Sequence, residues 1–342
     1  MRTSVRPGWA LVLLGLIARP AAAQEGGPAP AKAAASAAPA GTAATVNGQS
    51  IPEVAVQRSI KRRPPEERAE ARAEVLDYLI DNALIDQYLV QRHVEVPQAE
   101  LDARVGEIRE EIKKGGQTVE KVMQELMLTE DELRAQLAAD LRWEKFVSTQ
   151  ATEKVLRELF DKNPEVFDGT TVRARHILVA PSSKDPQAAE QAKAKILELK
   201  RQIEEAAAQA VAKLPAGADE AAREKARAQA IEDAFAAAAH KESACPSKEI
   251  GGDLGWFARA RNMAEPFAAA AFALKPYQMS DVVVTRFGYH LILATGRRPG
   301  KDTKFDDVKD VVRDFFGDRL RDYLCGKLKP GAKIVINAVP GS

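Results

Sequence analysis

Arg173-Ala174-Arg175-His176-Ile177-Leu178-Val179, residues 173–179, marks a change in the character of the chain. From Val172 to Ala180 the residues are rich in β-branched and apolar side chains, and Pro181 followed by two serines closes the run. It reads as a strand that carries one histidine. Two further strings follow in order: Gly251-Gly252-Asp253-Leu254-Gly255-Trp256-Phe257, and Phe287-Gly288-Tyr289-His290-Leu291-Ile292 with a second histidine. Between them lies Arg261-Asn262-Met263-Ala264-Glu265-Pro266-Phe267. From Asp253 on, the pattern predicts a short extended segment, a helix near Pro266 to Leu274, and strands near Val282–Val284 and Tyr289–Ala294. Residues 186–241 are dominated by Ala, Glu, Lys and Gln and read as helix, broken in two at Pro215-Ala216-Gly217.

Working outward, the N-terminal side is a helical array over residues 50–165. Ser50 offers an N-cap with Pro52 just inside a helix. Leu76, Leu79, Ile80, Ala83 and Leu84 fall on one stripe of a helix from Glu66 to Arg92. Pro97 opens another helix that Gly115-Gly116 ends, and Thr129 with Glu132 forms a capping box ahead of Leu133, Leu137 and Leu141. A further helix near Glu153 to Phe160 stops before Asn163-Pro164. On the C-terminal side Phe305, Val308, Val312, Phe315, Phe316 and Leu320 lie at helical spacing, Pro330-Gly331 ends that helix, and Lys333-Ile334-Val335-Ile336 reads as a strand. The unpaired extended piece available to it is Ala44 to Asn47, just before the Asn47-Gly48 turn. Pairing the two would make the first and last segments one discontinuous domain with the middle of the chain inserted into it.

Lys plus Arg number 50 against 49 Asp plus Glu, a balance that argues against a broad nucleic-acid footprint, which needs clustered excess base. Arg2 and Arg6, the apolar run Trp9 to Ala18 and the small residues Ala21-Ala22-Ala23 before Gln24 read as a secretory signal peptide over 1–23. The run is shorter than the ~20 apolar residues a bilayer span needs, and the alternative is an N-terminal anchor that stays uncleaved. Residues 24–44 are Ala/Pro/Gly-rich and read as a flexible linker. Cys245 and Cys325 are the two cysteines; in an exported protein they could form one disulfide, but placement in different domains favours two separate thiols.

The strings around His176, Gly251-Gly252, Met263 and His290, in this order, resemble the parvulin family of peptidyl-prolyl cis/trans isomerases, over roughly residues 171–298. The flanking helical segments, with Val46-Asn47-Gly48, Asn163-Pro164-Glu165-Val166-Phe167 and the strand at Ile334–Ile336, are similar to the chaperone domains of exported SurA- and PrsA-like foldases. The resemblance implies an α+β protein: a small antiparallel sheet with surrounding helices over 169–298, carrying a helical insertion near 187–239, set into a mostly helical chaperone-like domain formed by 45–168 and 299–342. It implies catalysis without cofactor or metal, clients that are unfolded or nascent exported polypeptides with X-Pro bonds, no nucleic-acid partner, no stable membrane insertion after signal cleavage, and a periplasmic location.

The chemistry such a site must perform is rotation about an amide with a barrier of ~18–20 kcal/mol. An acceleration of ~10⁴-fold needs about 5–6 kcal/mol of tighter binding to the twisted amide than to either planar form. An apolar pocket that strips water from the amide disfavours the charge-separated planar form. By resemblance, that pocket maps onto Leu254, Phe257, Met263 and Phe267, and the polar centre onto His176, Cys245, Thr285 and His290. Two histidines, each beside a hydroxyl or thiol, would fix one another's orientation. The loop Pro181–Asp185 carries one lysine, too little base to read a phosphorylated residue before proline, and Arg261-Asn262 departs from the Gly and Gln common in the family. A cysteine hydrolase built on Cys245 lacks a supporting context. A chiefly chain-holding chaperone with little isomerase activity is the competing reading. His93 and His240 read as solvated helix residues, and the four histidines show no metal-ligand spacing.

Overall fold

The computed structural model describes residues 41–338 except 62, 184 and 261–262. The leader reading over 1–23, most of the linker reading, and Lys184, Arg261 and Asn262 lie outside the described residues. Contacts divide the chain into two units, residues 1–156 with 313–342, and residues 157–312.

The first unit begins with a hairpin. Strand β1 (Thr42–Val46) turns at Asn47 and Gly48, both at positive φ, into β2 (Gln49–Pro52). Two left-handed residues make the tight turn whose twist matches the flanking strands. The order of this sheet is β2-β1-β7, with β7 spanning Ile334–Ile336. Ala44, Thr45 and Val46 face Ile336, Val335 and Ile334 in antiparallel register, so residues near the two ends of the described chain pair as their apolar, β-branched composition suggests. The strand begins at Thr42, three residues inside the segment expected to be linker.

Helices α1 (Glu53–Ile60), α2 (Arg68–Gln91), α3 (Gln98–Lys114), α4 (Val119–Glu125) and α5 (Glu130–Gln150) follow. Ser50 is not an N-cap: hairpin pairing holds it in β2, and Pro52 occupies the cap of α1. The Thr129–Glu132 capping box is present at α5. Leu76, Leu79, Ile80 and Leu84 of α2 are buried against the sheet residues Ala43, Ala44, Val46 and Ile51. A second core joins Leu101, Val105 and Ile112 of α3 to Val122 of α4 and to Leu133, Leu137 and Leu141 of α5. Helix α4 escaped the sequence reading because seven residues are too few to show a repeat.

The second unit is built on a four-stranded antiparallel sheet of order β4-β3-β6-β5. Its strands are β3 (Thr171–Val179), β4 (Asp253–Ala258), β5 (Val283–Thr285) and β6 (Gly288–Arg298). Helices α6 (Glu153–Lys162) and α7 (Pro164–Phe167) lead into it. Between β3 and β4 runs the helical hairpin α8 (Pro186–Ala212) and α9 (Glu220–Glu242). One face of the sheet, through Ile177, Val179, Leu291 and Leu293, packs on Ile196, Leu199, Ile203, Ile231 and Phe235 of that hairpin. The other face, through Val172, Ala174, Ile292 and Ala294, packs on Phe267, Ala271 and Phe272 of α10 (Glu265–Ala273). The last helix, α11, runs from Phe305 to Leu328. No helix among the described residues is long and apolar enough to cross a membrane.

Candidate functional site

Strands β3 and β6 pair in register with His176 opposite Ile292 and Leu178 opposite His290. The two histidines therefore lie diagonally on one face, within reach of each other. Both are buried, at 6% and 5% exposure, with ring centroids 5.6 Å apart and near-parallel planes. Their Nδ1 atoms are 3.4 Å apart. His290 Nε2 lies 2.7 Å from Thr285 Oγ1, on the neighbouring strand β5, and His176 Nε2 lies 3.1 Å from Ser247 Oγ. The result is a chain of four groups, Ser247–His176–His290–Thr285.

Burial sets the charge of this chain. Desolvation pushes His176 down to about 4, helped by the neighbouring His290, and desolvation alone pushes His290 to about 4. Both rings are neutral near pH 7, so each carries one N–H. One proton serves the Nδ1···Nδ1 contact. If His176 holds it there, His176 Nε2 accepts from Ser247, and His290 Nε2–H donates to Thr285. That hydroxyl already accepts from the Phe287 N–H at 3.1 Å, so its own O–H is left to donate elsewhere. With the proton on His290 the polarity reverses and the Ser247 O–H is freed. Each neutral arrangement thus offers one hydroxyl donor, at one end or the other.

The apolar half of the site comes from β4 and α10. Phe267 meets His176 edge-on at 5.5 Å and His290 at 5.4 Å between ring centroids. Phe257 lies 6.4 Å from Phe267, and the half-buried Leu254 and Met263 pack on the same cluster. Arg259 secures the approach to α10 by pairing with Glu165 at 2.7 Å and Glu265 at 2.6 Å.

Gly251-Gly252 has a local reason. Gly252 sits at φ +77°, and its carbonyl accepts from the His176 N–H at 2.9 Å. A Cβ there would collide with the His176 carbonyl oxygen. Glycine lets this segment close on β3 and brings Ser247 to the imidazole.

Seven of the eight residues singled out from the sequence therefore fall together: the two rings, Thr285 bonded to one of them, and Phe267, which joins the rings to Leu254, Phe257 and Met263. Cys245 does not join the hydrogen-bond chain. It begins the short 3₁₀ turn Pro246–Ile250 as its N-cap, and its own N–H is bonded to Ser243 Oγ at 3.3 Å. The hydroxyl two residues on, Ser247, meets His176 in its stead. The Cys245-Pro246-Ser247 string held that signal, but the 3₁₀ turn decides which of its side chains faces the ring. Cys245 and Cys325 are both free thiols.

Residues 212–296 match the family model of the PPIC-type peptidyl-prolyl isomerase domain. Residues 1–147 match the SurA-like N-terminal domain. The chain carries a PPIC-type isomerase domain and a SurA-like N-terminal domain. Its enzyme class is peptidyl-prolyl cis/trans isomerase, within an α+β fold. The isomerase match starts at residue 212, where α8 ends. His176 lies outside the matched stretch, and the β3–β6 register returns it to the PPIase domain. The chain is similar to foldase protein PrsA 3 of Bacillus cereus, 28% identical over 71% of this chain and 67% of that one. It is similar also to foldase protein PrsA of Geobacillus kaustophilus, 30% identical over 67% and 65%. The chain spans about two thirds of the length of these relatives. The crystal structure of PrsA from Bacillus anthracis covers 77% of this chain and 99% of its own at 23% identity and a TM-score of 0.38.

Proposed function

We propose that the pocket formed by Leu254, Phe257, Met263 and Phe267 holds the proline ring of a client while the Ser247–His176–His290–Thr285 chain supports the amide as it twists. The reaction is non-covalent. Resonance in the planar amide is stabilised by water, and a phenyl-lined cradle withdraws that water. As the C–N bond rotates, the nitrogen becomes pyramidal and gains a lone pair that accepts a hydrogen bond. A free hydroxyl at either end of the imidazole chain supplies a donor without any group having to ionise. The neutral imidazoles hold Ser247 and Thr285 in place, and the twisted state they support is the same for both directions of rotation. Cys245 has no place in this chain, and catalysis through a cysteine nucleophile finds no support.

The observation that carries this reading is Phe267 set edge-on to both buried imidazoles. The clients are unfolded exported polypeptides and the compartment is the periplasm, a reading that rests on the signal-like leader and the SurA-like match. NMR exchange on a short proline peptide tests it: the intact chain accelerates cis/trans exchange, and His290→Ala and Met263→Ala each reduce the acceleration. Absence of acceleration by the intact chain removes the assignment of the site.

A second activity, holding unfolded chain, is supported by the SurA-like first unit and its open cavity. A variant lacking residues 171–298 that still suppresses aggregation of an unfolded protein would place this activity in the first unit. Complete loss of suppression would place it elsewhere.

A further inference from the structure

The first unit contains a cavity of about 470 Å³ bounded by β2, α2, α5 and the C-terminal part of α11. That volume lies within the range of specific ligand pockets, about 300–1,000 Å³. Three features define it. One wall is apolar and aromatic, from Ile51, Tyr78, Leu79 and Trp143.

Another wall is the open edge of a strand. β2 is the terminal strand of its sheet. Val46 and Gln49 close the two-residue turn, so the next pair, Thr45 and Ser50, is a non-hydrogen-bonded pair. The Ser50 N–H and C=O therefore point away from β1, and no backbone partner takes them among the described residues. An extended chain can pair with such an edge regardless of its sequence.

The third feature is charge. Asp86, Glu132, Asp140, Glu144 and Asp318 line the cavity against the single cation Arg321. Arginines outside the lining hold three of them: Arg142 pairs with Asp86, Arg104 with Glu144 at 2.9 Å, and Arg58 with Glu132 at 3.6 Å. Arg321 itself bonds Asn82 and stacks on Tyr78 at 5.0 Å. Asp140, one helical turn before Glu144, lines the cavity and makes no side-chain hydrogen bond among the described residues.

We propose that this cavity takes the cationic side chain, Lys or Arg, of an extended polypeptide whose backbone lies along the open edge of β2. The proposal rests on the chain-holding reading above and names what that activity selects. The long aliphatic stem of either side chain fits against Trp143 and Leu79, and its charged end meets Asp140 beside the outer lone pairs of Glu144. Asp140 is held up at about 7, first by burial and then by Glu144 and Asp86, against the pull of Arg104 and Arg321. A cation in the cavity relieves that crowding. An anionic or apolar side chain leaves it in place. Backbone pairing supplies tolerance of sequence, and the carboxylates supply a preference within it.

The test uses the full chain and short, proline-free, fluorescein-labelled extended peptides, so that the isomerase site is not engaged. One carries a central Arg, one the neutral isostere citrulline, and one Glu. The Arg peptide is expected to bind about 10-fold or more tightly than the citrulline peptide, the worth of one charge-assisted pair, and the Glu peptide more weakly still. Asp140→Asn is expected to erase most of the Arg advantage while leaving isomerase activity on a short proline peptide unchanged. Equal binding of Arg and citrulline peptides overturns the proposal, as does an Arg advantage that survives Asp140→Asn. Should no peptide bind while the chain still suppresses aggregation, the cavity assignment fails and the chain-holding activity stands. Loss of both removes both.

Discussion

The imidazole pair makes a quantitative prediction about acid. Both rings are buried and held neutral down to about 4, against a reference of 6.5. The unfolded chain therefore binds protons at 6.5 where the folded chain does not. Stability contributed by the neutral rings is fully present above about pH 7.5 and is lost as pH falls through 6.5 toward 4. Each unit of difference is 1.36 kcal/mol, so at pH 5 each ring removes about 2 kcal/mol relative to neutral pH. The pair removes about 4 kcal/mol, a large part of the margin of an ordinary domain. The rings share one proton, so the titration belongs to the pair rather than to either ring. Urea unfolding of the full chain at pH 7.5 and pH 5, followed by far-ultraviolet circular dichroism, measures the loss. The same measurement on His176→Gln/His290→Gln isolates the histidines, because every carboxylate contributes equally to both proteins. The variant is less stable at pH 7.5, and its further loss on going to pH 5 is smaller than that of the natural chain by about 4 kcal/mol. Identical losses in the two proteins would refute the account of the rings as buried and neutral.

Four other outcomes follow from the contacts described. Met263→Ala trims a half-buried side chain at the edge of the pocket, and kcat/KM in the NMR exchange assay falls about 10-fold, as about 1–2 kcal/mol of lost grip requires. Gly252→Ala forces a methyl group against the His176 carbonyl at φ +77° and lowers both the urea midpoint and the isomerase rate, whereas Gly217→Ala, with open space around it, changes neither. Arg259→Met removes the buried guanidinium that pairs with Glu165 and Glu265 and costs about 3–5 kcal/mol by urea unfolding, much of which returns when both carboxylates become glutamines. Asp140 holds its proton to about 7, so its own contribution to stability falls as pH rises from 4 through 7, opposite in sign to that of the histidines. Asp140→Asn removes that loss and is more stable than the natural chain at pH 8 by roughly 2–4 kcal/mol, with little difference at pH 4.

Elements that declare themselves by local chemistry were legible in the sequence. The Thr129–Glu132 box is a hydrogen-bond pattern written in two residues, and it appears where expected. The pairing of residues near 45 with residues near 335 was legible for a different reason: the short apolar strand near 335 needed a partner, and an unpaired strand leaves backbone groups unsatisfied. Ser50 was misread because its type suits a helix cap and a strand edge alike. The choice was made by Asn47-Gly48 three residues earlier, whose turn commits the following residues to a ladder. Helix α4 was invisible because Val122 is its one fully buried residue, and one buried residue has no period.

The site divides along the same line. His176, Thr285 and His290 sit on neighbouring strands, where alternation fixes which side chains share a face, so strand identity alone brings them together. Phe267 follows because a helix starting at Glu265 can bury only one face, and Phe267, Ala268, Ala271 and Phe272 mark it. Ser247 obeys neither period. It lies in a 3₁₀ turn whose direction is set by Gly251 and Gly252 closing on β3, a tertiary contact four residues further along the chain. The family resemblance favoured the thiol of Cys245. Geometry favoured the hydroxyl, and for this reaction the hydroxyl is the better choice. A weakly donating S–H on a neutral imidazole would leave the proton chain poorly anchored at one end, whereas matched hydroxyls at both ends keep its two polarities close in energy. Ser247→Ala is therefore expected to slow exchange in both directions by about 10-fold, and Cys245→Ala to slow it little, in the same NMR assay; the opposite ranking would return the thiol to the centre of the site.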